Sequence, residues 1–244
     1  MTAAVATATD AGCVTCGVCL SVRDWQGPEG VQLLEHLVRA RVEDSLRQAG
    51  LLVTDPRTVP IGVSARHIHL SQDNVDAVFG AGTGLEPWRS LYQPGEFATE
   101  RTLTVVSSSG RELGGVRVLG PVRARTQIEL SRTDAVGLRM NIPLRNSGDL
   151  DGTPEVTLVG PAGSVETGGT IRAARHIHCD PAEAAAFGLA TGDSVSVRVP
   201  GPEGVTFPEV HVRAHPGHRL ILHLDTDDAN AAGVSCVSHG VMLV

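Results

Sequence analysis

The chain has 244 residues, a formal net charge of −7, and a composition that is 41% hydrophobic but only 3% aromatic. All 20 basic residues are arginine, which excludes a Schiff-base lysine, a lysine general base and a P-loop lysine. No basic stripe points to nucleic acid, no apolar run approaches the ~18 residues of a spanning helix, and five cysteines without a charged leader fit a reducing cytoplasm.

Residues 1–28 read as a loosely ordered extension carrying Cys13-x-x-Cys16-x-x-Cys19. That run resembles part of an iron–sulfur motif, but Asp24 and Trp25 stand where a fourth cysteine would be needed, so free thiols compete with a cluster. Residues 29–49 read as an amphipathic helix, with Val31, Leu34, Val38, Val42 and Leu46 at helical spacing and Gly50 as its stop. The apolar face suits either its own body or a partner, so residues 1–57 are a candidate targeting segment. Asp55-Pro56 reads as a linker.

From Val59 the body begins. Val59, Ile61, Val63 and Ala65 alternate with Pro60, Gly62, Ser64 and Arg66, the period of a strand. The strand runs into Arg66-His67-Ile68-His69, and the same tetrapeptide recurs at Arg175-His176-Ile177-His178. Side chains at i and i+2 share one face of a strand, so each pair projects two imidazoles together as first ligands for a metal. Ser71 begins a short helix through Phe79; strands follow at Leu103–Ser107, Gly115–Leu119 and Thr126–Leu130. After the second pair, Asp180, Pro181 and Glu183 supply a capping box and an N1 proline, and strands follow at Ser194–Val199, Glu209–Ala214 and Arg219–Leu224.

Aligning the two halves sets Glu129 on His223 and Asp134 on Asp228. Each half thus offers a His-x-His pair and a third ligand from a later strand, a two-site arrangement by duplication. Nitrogen and carboxylate donors suit Zn²⁺, with Co²⁺, Ni²⁺ or Fe²⁺ as alternatives, and three ligands leave a position open for chemistry. Cys179, next to His178, turns to the opposite face and reads as a small buried residue. Arg123 and Arg125 lie within strand reach of Glu129 and could hold an anion. The turn Arg145-Asn146-Ser147-Gly148-Asp149 could add anion contacts.

The stretches VPIGVSARHIHLS, QPGEFATE, VRVLGPVRARTQIELSRTDA, NIPLRNSGD, LVGPAGSV, AARHIH and HLDTDDANAAG occupy most of residues 59–233 in order. In them the chain resembles the propanediol-utilisation phosphotransacylases, the phosphate propanoyltransferases. The resemblance implies a mainly β fold of two barrels capped by short helices, over residues 58–170 and 171–244, with strand 58–66 joining the C-terminal barrel. It implies two zinc ions per chain, one on His67, His69 and Glu129, the other on His176, His178 and His223, with Arg123 as the catalytic arginine. It also implies acyl-CoA or CoA and phosphate as partners, a dimer or larger homo-oligomer, and, through the N-terminal extension, association with a bacterial microcompartment. The activity implied is exchange of a propanoyl or acetyl group between CoA and phosphate by direct attack. From the residues alone, a zinc-dependent thioester or ester hydrolase stays open as an alternative.

Overall fold

The computed structural model describes residues 57–234 and 238–244, together with Val38 and Val42. The run of Cys13, Cys16 and Cys19, the linker at Asp55-Pro56 and most of the 29–49 helix lie outside the described residues; Val38 and Val42 are helical and exposed. The chain divides into units Met1–Pro56 and Arg57–Val244, and the second carries all the strands described.

That unit is mainly β. A closed barrel runs in the order β1 (Thr58–Ser64), β14 (Ile221–Asp225), β11 (His176–Cys179), β13 (Val205–Ala214), β12 (Ser194–Val199) and β15 (His239–Leu243). A second sheet curls without closing, in the order β7 (Leu144–Arg145), β10 (Thr170–Ala173), β6 (Gln127–Glu129), β2 (His67–His69), β5 (Glu112–Gly120), β4 (Phe97–Val106), β8 (Val156–Val159) and β9 (Ser164–Thr167), with β3 (Arg89–Ser90) paired to β4. Four short helices cap these sheets among the described residues: α1 (Gln72–Phe79), α2 (Arg132–Gly137), α3 (Pro181–Ala186) and α4 (Thr226–Ala231).

The duplication is visible as matching ladders. In the open sheet, β2 lies between antiparallel β6 and parallel β5, and β6 is flanked by parallel β10. In the barrel, β11 lies between antiparallel β14 and parallel β13, and β14 is flanked by parallel β1. The flanking strands are exchanged between halves. β1 precedes the first His-x-His yet joins the barrel, while β10 precedes the second and joins the open sheet. Each Arg-His-Ile-His therefore begins where the chain crosses from one sheet to the other.

Period-two apolar residues build each core. Val195, Val197 and Val199 of β12 face the barrel interior with Phe207, Val210 and Val212 of β13. Ile68, Val116, Val118 and Ile128 fill the core of the open sheet with Val75 and Val78 of α1. These sheets are small but bury large β-branched side chains fully, which offsets the entropy of ordering many short strands.

Several local expectations shift. Val59 and Ile61 are buried as the alternation requires, but Val63 is 39% exposed although it still pairs with Leu224 in the barrel ladder. β13 begins at Val205, earlier than its sequence suggests. A register shift in its ladder with β12 and a positive φ of 54° at Glu209 absorb Pro208 and move the phase by one residue. His211 and Arg213 thereby turn to the face opposite Val210 and Val212. Ser71 occupies the N-cap of α1 without capping through its side chain; its backbone N–H donates instead to Thr126 Oγ1 at 3.0 Å. The helix after Asp180 has the expected capping box and N1 proline.

Candidate metal centre

Ladder register delivers the third member of each trio. His67 pairs across β2–β6 with Glu129, and His176 pairs across β11–β14 with His223. A residue directly opposite in an antiparallel ladder has its Cβ about 5 Å away on the same face, so the side chains must meet. One donor atom from each of His67, His69 and Glu129 lies within 4.8 Å of the others, and the same holds for His176, His178 and His223. Asp134 and Asp228 stand outside both trios and pair with Arg66 and Arg175.

The donor sets fit a divalent cation. Tetrahedral zinc with bonds of 2.0–2.1 Å sets its donors about 3.3 Å apart. His67 Nε2 lies 3.6 Å from Glu129 Oε1, and His176 Nε2 lies 3.0 Å from His178 Nε2. His67 Nδ1 and His176 Nδ1 donate to the carbonyls of Ala65 and Ala174 at 2.9 and 2.8 Å, which turns each Nε2 lone pair inward. His69 Nδ1 is buried without a hydrogen-bond partner among the described residues.

Burial keeps most of these rings neutral, the state a ligand needs. Desolvation, then the neighbouring His67, pulls His69 down to about 2. Desolvation with His176 beside it pulls His178 down to about 2, and the same causes bring His223 to about 3. Burial likewise lowers His176. His67 is the exception: burial opposes its charge, but the adjacent Glu129 carboxylate outweighs burial and raises it. Burial opposes the Glu129 charge too, yet His67 holds that carboxyl below the usual range.

Glu129 of the first trio and His176 and His223 of the second line one narrow pocket, together with Arg66, Ser131 and Asp225. Arg123 stands beside the first trio, close enough for its charge to act on His67 and His69, and its Nη2 is 3.1 Å from Glu96 Oε1. Arg125 is spent on a surface ion pair with Asp151 at 2.9 Å. The Arg145–Asp149 turn closes on itself through those two side chains, and its Ser147 and Gly148 hold Gln127. Cys179 is buried in the barrel core, away from the His face.

Three residues at the site were not singled out by sequence. Gln127, on β6, accepts from Gly148 N–H at 2.8 Å, which points its amide at Glu129 Oε1, 2.6 Å away. Gly62 pairs with His223 across β1–β14, and a Cβ there would lie 3.1 Å from the imidazole Cδ2. Arg213 pairs with His178 across β11–β13, and its half-buried guanidinium has no hydrogen bond or ion pair among the described residues. Burial presses its pKa down, while the Glu129 and Glu96 carboxylates push it up. Its signal was the phase of Val210 and Val212, concealed by the bulge at Glu209.

The sequence profile of the phosphate propanoyltransferase family matches residues 60–235. The chain is 46% identical over 182 residues to a phosphate propanoyltransferase of Rhodobacter capsulatus, covering 74% of this chain and 84% of the relative. It is 44% identical over 206 residues to one of Klebsiella pneumoniae, covering 84% and 93% of the two chains. It is 44% identical over 204 residues to one of Salmonella typhimurium, covering 83% and 92%.

Proposed function

The chain belongs to the phosphate propanoyltransferase family and is a phosphate acyltransferase, and from that premise we propose that it moves a propanoyl or acetyl group between CoA and phosphate at a dinuclear zinc site. The observation that carries the reading is that members of both trios, Glu129 of the first and His176 and His223 of the second, line a single pocket. Two separated sites would not bring both reactants together.

His67, His69 and Glu129 would hold one zinc, and His176, His178 and His223 the other. Bound there, the metals supply Lewis-acid charge for the phosphate oxygens, the thioester carbonyl and the sulfur that leaves. Arg123 and Arg213 contribute the fixed positive charge of the polypeptide. Guanidinium forks match phosphate oxygens in pairs, and Arg213 has no competing hydrogen bond among the described residues. A phosphate oxygen attacks the carbonyl carbon, the tetrahedral adduct collapses, the C–S bond breaks, and CoA leaves as the thiolate. Arg123 stabilises the oxyanion of that adduct. No protein nucleophile is required, because holding the two reactants in contact supplies much of the rate. The nucleotide end of CoA needs cations and an aromatic face. Trp88 is 53% exposed, with the guanidiniums of Arg89 and Arg117 at 5.6 and 5.2 Å from its ring.

Residues 1–57 are read as a segment that directs the enzyme to a microcompartment, and the active form as a homodimer. What supports the first is the apolar helical spacing that includes the exposed Val38 and Val42. No helix among the described residues is long and apolar enough to cross a membrane.

The test is thiol release from propanoyl-CoA by the zinc-loaded protein with and without phosphate, with acyl phosphate trapped by hydroxylamine. Release that requires phosphate and yields one hydroxamate per thiol is expected. Equal release without phosphate would make the protein a thioesterase and end the transfer reading.

A further inference from the structure

The imidazoles of the two His-x-His pairs differ in what holds their outer nitrogens. The first histidine of each pair donates to a carbonyl two residues upstream. The second histidine of the first pair, His69, has no partner at Nδ1. The second histidine of the second pair, His178, has one: its Nδ1 lies 3.2 Å from His218 Nδ1, and the two rings meet edge to face with centroids 4.7 Å apart.

We propose that His218 is a positioning residue that fixes the ring and tautomer of His178, and so sets the metal affinity of the second trio but not the first. The inference rests on reading His176, His178 and His223 as ligands. His178 Nε2 faces His176 Nε2 at 3.0 Å, and His176 already donates through its Nδ1. For both Nε2 lone pairs to face one cation, the His178 proton must sit on Nδ1 and needs an acceptor there. His218 Nδ1 is that acceptor.

The loop between β13 and β14 is built to keep His218 in place. Gly217 N–H donates to Asp180 Oδ2 at 3.1 Å, and His218 N–H donates to the His215 carbonyl at 3.0 Å. On the next residue, buried Gln93 clamps the backbone twice, accepting from Arg219 N–H at 3.0 Å and donating to its carbonyl at 2.9 Å. A loop anchored at three successive residues presents a fixed imidazole, as an outer ligand partner requires.

The test titrates zinc into metal-free protein against a chromophoric chelator, for wild type, His218→Ala, His218→Gln and His176→Ala. Wild type is expected to take two ions and His176→Ala one. His218→Ala should bind the first as wild type does and the second about 10- to 100-fold more weakly. His218→Gln, whose amide oxygen can accept the same proton, should recover most of that loss. The Co²⁺ absorption bands of the second ion should shift in His218→Ala and return in His218→Gln. If His176→Ala keeps two ions at wild-type affinity, the ligand reading fails and His218 loses its role with it. If His176→Ala loses an ion while His218→Ala keeps both unchanged, only the His218 assignment is overturned. A loss that Gln leaves unrepaired, with a lower melting temperature of the metal-free protein, also overturns it in favour of simple loop support.

Discussion

Arg175 grips Asp228 through two parallel hydrogen bonds, Nε to Oδ2 at 2.7 Å and Nη2 to Oδ1 at 2.8 Å. The counterpart in the other half is Arg66 Nη2 at 3.2 Å from Asp134 Oδ1. The arginine that opens each Arg-His-Ile-His thus fastens its strand to the helix that follows the third-ligand strand. Arg175→Lys keeps the charge but loses the fork. Both partners are partly exposed, so the expected loss is modest, about 1 kcal/mol, read as a lower denaturation midpoint at unchanged slope. Asp134 is buried and also completes the capping box of α2, so Asp134→Ala should cost more, roughly 2–3 kcal/mol.

Gly62 leaves room for His223. In Gly62→Val the new Cβ would stand 2.7 Å from Ile221 Cδ1 and 3.1 Å from His223 Cδ2, and the γ-methyls would crowd the imidazole further. Bound zinc should fall from two ions toward one, and turnover should fall roughly 10- to 100-fold. Metal content measured on the purified variant checks the first, and CoA release checks the second. Full occupancy in Gly62→Val would show that His223 is free to move without loss.

Arg213 and Arg123 should each hold phosphate. Arg213→Ala is expected to raise the KM for phosphate by roughly 10- to 100-fold, the value of a charge-assisted hydrogen bond, with bound zinc unchanged. Arg123→Ala should lower kcat as well, because it also meets the oxyanion. Glu96 neutralises Arg123 across 3.1 Å, so Glu96→Gln should leave the phosphate KM equal or lower. Loss of zinc in Arg123→Ala would refute its substrate role.

The metal-free protein should weaken in acid. His69, His178 and His223 have folded-state pKa values of about 2, 2 and 3, below the unfolded value near 6.5. The unfolded chain therefore binds more protons between those limits, and stability falls as pH drops below 6.5. For the buried His69 the loss reaches about 2 kcal/mol at pH 5. Glu129, held low, adds a loss on the acid side below its unfolded value. His67 acts oppositely, since its raised pKa gives stability that is present below 6.5 and lost as pH rises through the folded value. With His176 also lowered, four histidines against one give a net decline from pH 7 to 5, and His69→Ala should flatten it. Urea midpoints across that range provide the measurement.

Sequence by itself determined the mainly β character, the duplication and the ligand types. These are local matters: period-two valines mark strands, i and i+2 histidines share a face, and a repeated tetrapeptide repeats its geometry. The likeness of motifs then singled out Glu129 and His223 from the other acids and histidines. Tertiary structure decided what depends on pairing between distant segments. The ladders set His67 opposite Glu129 and His176 opposite His223, and where β1 and β10 are exchanged Glu129 meets His176 and His223 around one pocket. Arg213, His218 and Gly62 were illegible for the same reason. A bulge reset the face of the first, a loop clamped by a residue 126 positions away fixed the second, and a neighbouring ring on another strand gave the third its purpose. Side-chain periodicity along one strand carries no information about which strand lies beside it, because strand pairing is settled by the packing of the whole sheet.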